Sequence, residues 1–280
     1  MHALINIINR IQKIRNPTQN LYSNAIKSEI EILNRILNGG FINGNLYVLA
    51  GRESVGKTSF VVSLISDIIS NKIFSHKAGL ILLNISEVQW IERLLANISG
   101  VWLEKIKRGR LESHDFEKIN DLSRLTQFEK IEISAQGYMN IREVISTCTR
   151  YVLQKDVQII FIDYLQLISV ENMSDGELKL FTVCKALKNL SIELNVPIII
   201  LVPLKSGKAV SDLKDLRNIG AIEPFADVIM FLNKRVNNIP KNWKSKEEIY
   251  LTISKNNTGL LDTLRLRALL HIQKFVEFDY

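Results

Sequence analysis

Two kinds of hydrophobic stretch alternate along the chain. Unbroken apolar runs at "NLYVLAG" (45–51), "GLILLNI" (79–85), "VQIIFIDYLQLI" (157–168) and "VPIIILVPL" (196–204) predict strands buried on both faces. Between them lie stretches with helical spacing: Lys57 to about Ile69, "SEVQWIERLLANIS", "NIREVISTCTRYVLQK" and "GELKLFTVCKALKNLSIELN". A charged helical region covers 101–124, and "FEKIEIS" (128–134) predicts a further strand. After "ADVIMFLN" (226–233) and "EIYLTISKN" (248–256), "DTLRLRALLHIQKFVEF" ends the chain in a roughly alternating β pattern. Apolar strands separated by helices predict an α/β fold, a mostly parallel twisted sheet flanked by helices. The late strands, with no helices between them, predict an antiparallel C-terminal edge.

Composition adds little to this frame until charge is considered. The chain has 280 residues, 46% hydrophobic and 23% charged, which suits a globular protein with a substantial core. No apolar run is long enough to span a bilayer, so no membrane partner is expected and a cytoplasmic location is. The net charge of +7 suits a polyanionic partner, with a solvated basic surface as the alternative. The first 28 residues carry no acid but include Arg10, Lys13, Arg15 and Lys27, and "INIINRIQKI" has helical spacing. An amphipathic helix that docks on another surface is favoured there over an organellar transit peptide, which would imply an organelle matrix. Cys148 and Cys184 lie in helix-like stretches and read as buried small hydrophobes in a reducing compartment. The four histidines have no metal or triad spacing. Trp90 falls on an apolar helical face beside Ile91, Leu94 and Leu95 and reads as packing; Trp102 and Trp243 could stack on bases.

The chemistry concentrates at Gly51-x4-Gly56-Lys57-Thr58, placed between a strand and a helix. This is the P-loop pattern. Its backbone N–H groups, including those of Ser54, Val55 and Ser59, and the helix N-terminus hold phosphates. Lys57 reaches the β- and γ-phosphates, and the Thr58 hydroxyl serves Mg²⁺. Asp163, at the end of "IIFID", supplies the acid that such a site needs for Mg²⁺.

"IIFIDYLQLI" resembles the Walker B stretch of the DnaB family of replicative DNA helicases. Other segments resemble that family in the same order: "ILNGGFINGNLYVLAGRESVGKTSF", "ISEVQWIERLLANISGV", "CKALKNLSIELNVPIII", "DLKDLRNIGAIEPFADVIMFLNK" and "ISKNNTGLLDTLRL". "DYLQLI" and "DLRNIGAIE" set the chain apart from RecA-like ATPases without a DNA role. The resemblance covers about 28–280 and implies a RecA-like P-loop NTPase core. Residues 1–27 would supply a linker-type helix and connection. It also implies ATP, Mg²⁺, single-stranded DNA, and a hexameric ring or a hetero-assembly with a helicase or other replication protein. By that match Lys255 contacts the neighbour's nucleotide, and Arg217, Asn218 and Gly220 line the DNA path, with Lys205, Lys208 and Lys214 in the same loop region. A solvated turn is the alternative for the three lysines. The acidic "VENMSDGE" (170–177) occupies the place of a first DNA loop but argues against phosphate contact through its side chains.

Three departures bear on hydrolysis. The register set by Ser86, Gln89, Arg93, Leu94 and Leu95 puts Asn84 where the family has its catalytic glutamate. Asn can hold a water but cannot take its proton. Glu87, three residues on, is a candidate displaced base or a helix-dipole partner. Pro203 stands where the family has a γ-phosphate-sensing Gln, and Asn257 where it has an arginine finger. The expectation is a site that binds Mg-ATP, with Lys57 and Asp163 retained, and turns it over weakly or not at all. A fully active helicase using a displaced base is the remaining alternative.

Overall fold

A computed structural model describes residues 25–70, 76–123, 126–174, 176–205, 210–234 and 247–278. The amphipathic N-terminal segment, Lys208 and Trp243 lie outside the described residues. The chain opens with Ile26, buried and bridged to Phe41, and α1 (Glu31–Ile36). Strands alternating with helices follow: β1 (Leu46–Arg52), α2 (Lys57–Ser70), β2 (Ala78–Leu82), α3 (Glu87–Ser99), α4 (Leu103–Arg108), α5 (Ser113–Ser123), β3 (Ile131–Ala135) and the two-residue β4 (Met139–Asn140). Next come α6 (Ile141–Lys155), β5 (Ile159–Asp163), the two-residue β6 (Ile168–Ser169), α7 (Glu177–Leu194), β7 (Ile198–Leu204) and α8 (Leu213–Arg217). The chain closes with β8 (Val228–Asn233), β9 (Glu248–Asn256), β10 (Asp262–Leu269) and β11 (Lys274–Glu277).

Nine strands form one sheet in the order β11-β10-β9-β8-β1-β7-β5-β2-β3. From β8 to β3 every pairing is parallel; β9, β10 and β11 add an antiparallel edge. The α/β fold with its antiparallel C-terminal edge is therefore as expected. Strand side chains alternate between faces, so β1 feeds two cores at once. Tyr47 and Leu49 join the cluster under α2 and α3, and Leu46, Val48 and Ala50 join the one under α6 and α7. That double burial is why the central strands read as unbroken apolar runs.

Boundaries differ where apolar residues continue past a strand. In 157–168 only Ile159–Asp163 is in the main sheet; Leu165 and Ile168 remain buried because they turn down into the second core. Strand β2 stops at Leu82, and 128–134 begins with a 3-10 turn before β3. The charged region 101–124 breaks at Gly109, whose φ of 63° ends α4. The C-terminal run is a hairpin, not one strand: a 3-10 turn at Leu270–Ile272 and Gln273 at φ 56° reverse the chain so that β11 returns along β10.

Candidate functional site

The P-loop leaves the sheet between β7 and β8, where Gly51 pairs with Pro203 and Leu232. Gly56 takes φ 106°, a conformation that disfavours other residues, and lets the loop turn straight into α2 at Lys57. The Lys57 ammonium donates to the Gly51 and Arg52 carbonyls, both at 2.8 Å, and so sits across the mouth of the loop. Burial lowers its pKa to about 8, with the negative charges of Asp163 and Glu53 opposing the fall. Strand β5 delivers Asp163 from the sheet's other half, and Thr58 Oγ1 donates to its Oδ2 at 2.8 Å. Asp163 is 8% exposed. Burial pushes its carboxyl upward, while the Thr58 hydroxyl, Lys57 and Arg93 pull it back. A hydroxyl and a carboxylate meeting at hydrogen-bond distance are the hard oxygen donors that suit Mg²⁺ with waters completing its shell.

These groups face a cleft of about 520 Å³, lined also by Glu53, Ser54, Gly56, Ser59, Asn84, Arg93, Tyr164, Pro203, Leu270 and Gln273. The two departures expected within one chain, Asn84 and Pro203, thus stand in the cleft beside Lys57 and Asp163. Pro203 offers its carbonyl, which accepts the Gln166 amide at 3.2 Å. Glu87 is exposed in the first turn of α3 and is not among the lining residues; its charge is one of those that raise the Tyr151 phenol.

Arg93 and Gln273 were not singled out as site residues from the sequence. Gln273 Oε1 accepts from Arg93 NH1 at 2.6 Å and from Ser59 Oγ at 2.7 Å, and its carbonyl accepts from Asn97 at 2.7 Å. One residue of the C-terminal hairpin so ties α2 and α3 together at the cleft. Arg93 Nε is buried without a hydrogen-bond partner among the described residues. A sequence signal existed for Arg93, since a cation between Trp90 and Leu94 lies next to the buried face of an amphipathic helix. Gln273 gave none.

A second cluster forms away from the cleft. Glu177, Arg217, Gly220, Ala221, Glu223, Pro224 and Lys255 line a hollow of about 410 Å³. Arg217 is exposed but engaged: its Nε and NH2 donate to the two Glu223 carboxylate oxygens at 2.5 and 2.8 Å. Each charge favours the other, raising the Arg217 pKa and lowering that of Glu223. Lys255 Nζ donates to the Glu223 carbonyl at 2.8 Å. The structure therefore brings Arg217 and Lys255 together, although the resemblance assigned them to different ligands. Gly220 is buried against Leu180, and its N–H closes a turn onto the Arg217 carbonyl at 3.3 Å. Lys205, Lys214 and Asn218 are exposed around this face. Asn257 is elsewhere: its N–H donates to the carbonyl of Asp227, the residue just before β8, at the end of the sheet opposite the P-loop. Trp90, Cys148 and Cys184 are fully buried, as expected. No helix among the described residues is long and apolar enough to cross a membrane.

Comparison with known proteins fits this geometry. The family described as DnaB-like helicase C terminal domain matches residues 25–277. The replicative DNA helicase DnaB of Treponema pallidum is 31% identical over 248 residues, 86% of this chain and 53% of the relative. A probable plasmid replicative DNA helicase of Chlamydia trachomatis is 29% identical over 222 residues, 77% of this chain and 47% of the relative. The chain thus spans about half the length of these curated relatives. Among solved structures, the ATPase domain of G40P superposes with a TM-score of 0.84 at 25% identity, covering 99% of this chain and 98% of that one. A DnaB-like replicative helicase, solved in a study of its interactions with primase, gives 0.83 at 25% identity, over 99% of this chain and 66% of that one.

Proposed function

The chain belongs to the DnaB-like helicase C-terminal domain family, and from that premise we propose that it binds Mg-ATP and single-stranded DNA in DNA replication while hydrolysing ATP weakly or not at all. One observation carries this reading. Lys57, Thr58 and Asp163 converge in one cleft, and the same cleft holds Asn84 and Pro203 where hydrolytic groups are expected. Thr58 and Asp163 would hold Mg²⁺, which supplies charge neutralisation for the phosphates. Lys57 would exchange its loop carbonyls for β- and γ-phosphate oxygens. The Asn84 amide can orient a water but leaves its proton in place. Loss of a general base costs roughly 10²–10⁴-fold in rate.

Lys255 lies in a hollow separate from the chain's own cleft, so a nucleotide contact by Lys255 requires another chain. That supports action in a ring or in a hetero-assembly with a helicase or other replication protein. With Asn257 at the finger position, a partner chain would have to bring the missing cation. Exposed Lys205 and Lys214 supply positive charge for single-stranded DNA, and Arg217 adds to it once its pairing with Glu223 opens. The test is ATP binding and turnover with and without single-stranded DNA, beside Lys57→Ala. Binding that Lys57→Ala abolishes, with turnover well below about one per second, is expected. Turnover at or above that rate, lost in Lys57→Ala, refutes the weak-hydrolysis reading, and no binding at millimolar ATP refutes the whole. Native mass then distinguishes a ring of copies from a chain that needs a different partner.

A further inference from the structure

We infer that Glu53, inside the P-loop, is the proton acceptor for the slow ATP hydrolysis of this site, replacing the carboxylate that Asn84 does not provide. The inference rests on the reading of the cleft as an ATP site. Two carboxylates line that cleft, Glu53 and Asp163. Asp163 is buried and already accepts the Thr58 hydroxyl. Glu53 is exposed, and among the described residues no hydrogen bond or ion pair fixes its carboxylate. It therefore stands open to a water.

Its place along the loop is also suitable. Glu53 borders the cleft together with Asn84, Tyr164 and Pro203, the residues just beyond β2, just beyond β5 and near the end of β7. Its charge is felt at both the Lys57 ammonium and the Tyr164 phenol. The cleft is not closed off behind Glu53. Glu53, Tyr164 and Pro203 also form one wall of an adjoining cavity of about 620 Å³, bounded further by Gln166, Lys179, Lys205 and Asn218. Glu53 thus lines both this cavity and the cleft. The Asn84 amide, at the tip of β2 with β7 and β5 between it and β1, lines the same cleft and can hold a water there without deprotonating it.

The step balances without further reagents. A water oxygen bonds to the γ-phosphorus as the bridging bond to the β-phosphate oxygen breaks. That bond's electron pair stays on ADP, the water proton passes to the Glu53 carboxylate, and Glu53 then returns it to solvent.

The test pairs single-turnover hydrolysis with equilibrium binding of ATP and ADP, in the parent chain, Glu53→Gln, Glu53→Gln/Asn84→Glu and Lys57→Ala. Melting temperatures confirm that each variant is folded. Glu53→Gln is expected to hydrolyse about 10²-fold or more slowly. It should bind ATP on the order of fivefold more tightly relative to ADP, because a negative charge beside the γ-phosphate is gone. The double variant should recover rate, since it returns a carboxylate to the same cleft at the tip of β2. Hydrolysis by Glu53→Gln within about threefold of the parent overturns the inference. So does a parent chain that binds ATP yet hydrolyses no faster than Lys57→Ala; the proposed function survives that result. A parent chain that binds no ATP refutes the proposed function itself.

Discussion

Glu223→Gln separates two readings of Arg217 that the geometry sets against each other. By resemblance Arg217 lines the DNA path, yet its Nε and NH2 donate to the Glu223 carboxylate at 2.5 and 2.8 Å. While that pair holds, Arg217 presents no net charge to a phosphate. Glu223→Gln removes the negative partner without disturbing the Glu223 carbonyl that Lys255 uses, so the fold of the hollow is retained. The variant gains one cation for the DNA backbone. On single strands each phosphate contact adds about 0.7 to the slope of log affinity against log salt. The variant's advantage should therefore be about 2.6-fold larger at 50 mM than at 200 mM salt. Fluorescence anisotropy with a labelled oligo-dT across that range measures it. The double variant Arg217→Gln/Glu223→Gln must lose the added slope. A slope unchanged in Glu223→Gln, or a gain that survives in the double variant, refutes the idea that Glu223 holds Arg217 away from DNA.

Three further outcomes follow from the core. Asp67 is buried in α2 and its carboxyl is raised to about 7, by desolvation first and then by Glu29. The folded state then holds a proton that the unfolded state has released between about pH 4 and pH 7, so this group makes stability fall as pH rises through that window. Asp67→Asn should be more stable than the parent by about 4 kcal/mol at pH 8 and nearly equal at pH 4, read from urea unfolding at both values. A Cβ at Gly259 would collide with the Ile36 carbonyl and the Asn256 amide, in the turn that Asn38 and Asn256 fasten to α1. Gly259→Ala should cost about 1–3 kcal/mol in the same assay, with nucleotide affinity unchanged in the folded fraction. Cys148 and Cys184 are fully buried and their thiols are pushed up to about 12, so neither should react with a thiol reagent until the chain unfolds.

How far the sequence reveals this fold depends on how each element is buried. Strands β1, β5 and β7 are covered on both faces, so their composition declares them. Their ends are another matter. Leu165 and Ile168 are as apolar as the strand before them but enter the core from a turn, and hydropathy does not distinguish the two. Lys57, Thr58 and Asp163 were legible because the spacing of a phosphate loop is local and the acid follows a strand. Gln273 was not, because its contact with Arg93 spans 180 positions and exists only once the C-terminal hairpin folds back across α2. The Arg217–Glu223 pair spans six positions and was still missed. A spacing of six has no fixed meaning in a turn, whereas the same two residues on a helix would have had a defined geometry.

The distribution of retained and altered groups has a structural logic of its own. Asp163 is buried and receives the Thr58 hydroxyl, so removing Thr58 costs a buried carboxyl its partner, at about 1–3 kcal/mol. The residues that would hold Mg²⁺ are thereby part of what holds β5 against α2. Asn84 and Asn257 are exposed, and Pro203 contributes only its carbonyl to a neighbour. Exchanging a side chain at any of those three places leaves no buried donor or acceptor behind. Substitution at Asn84, Pro203 or Asn257 therefore costs the fold little, while substitution of Thr58 costs it directly. What remains free to change is the exposed rim of the cleft, and Glu53 sits on that rim.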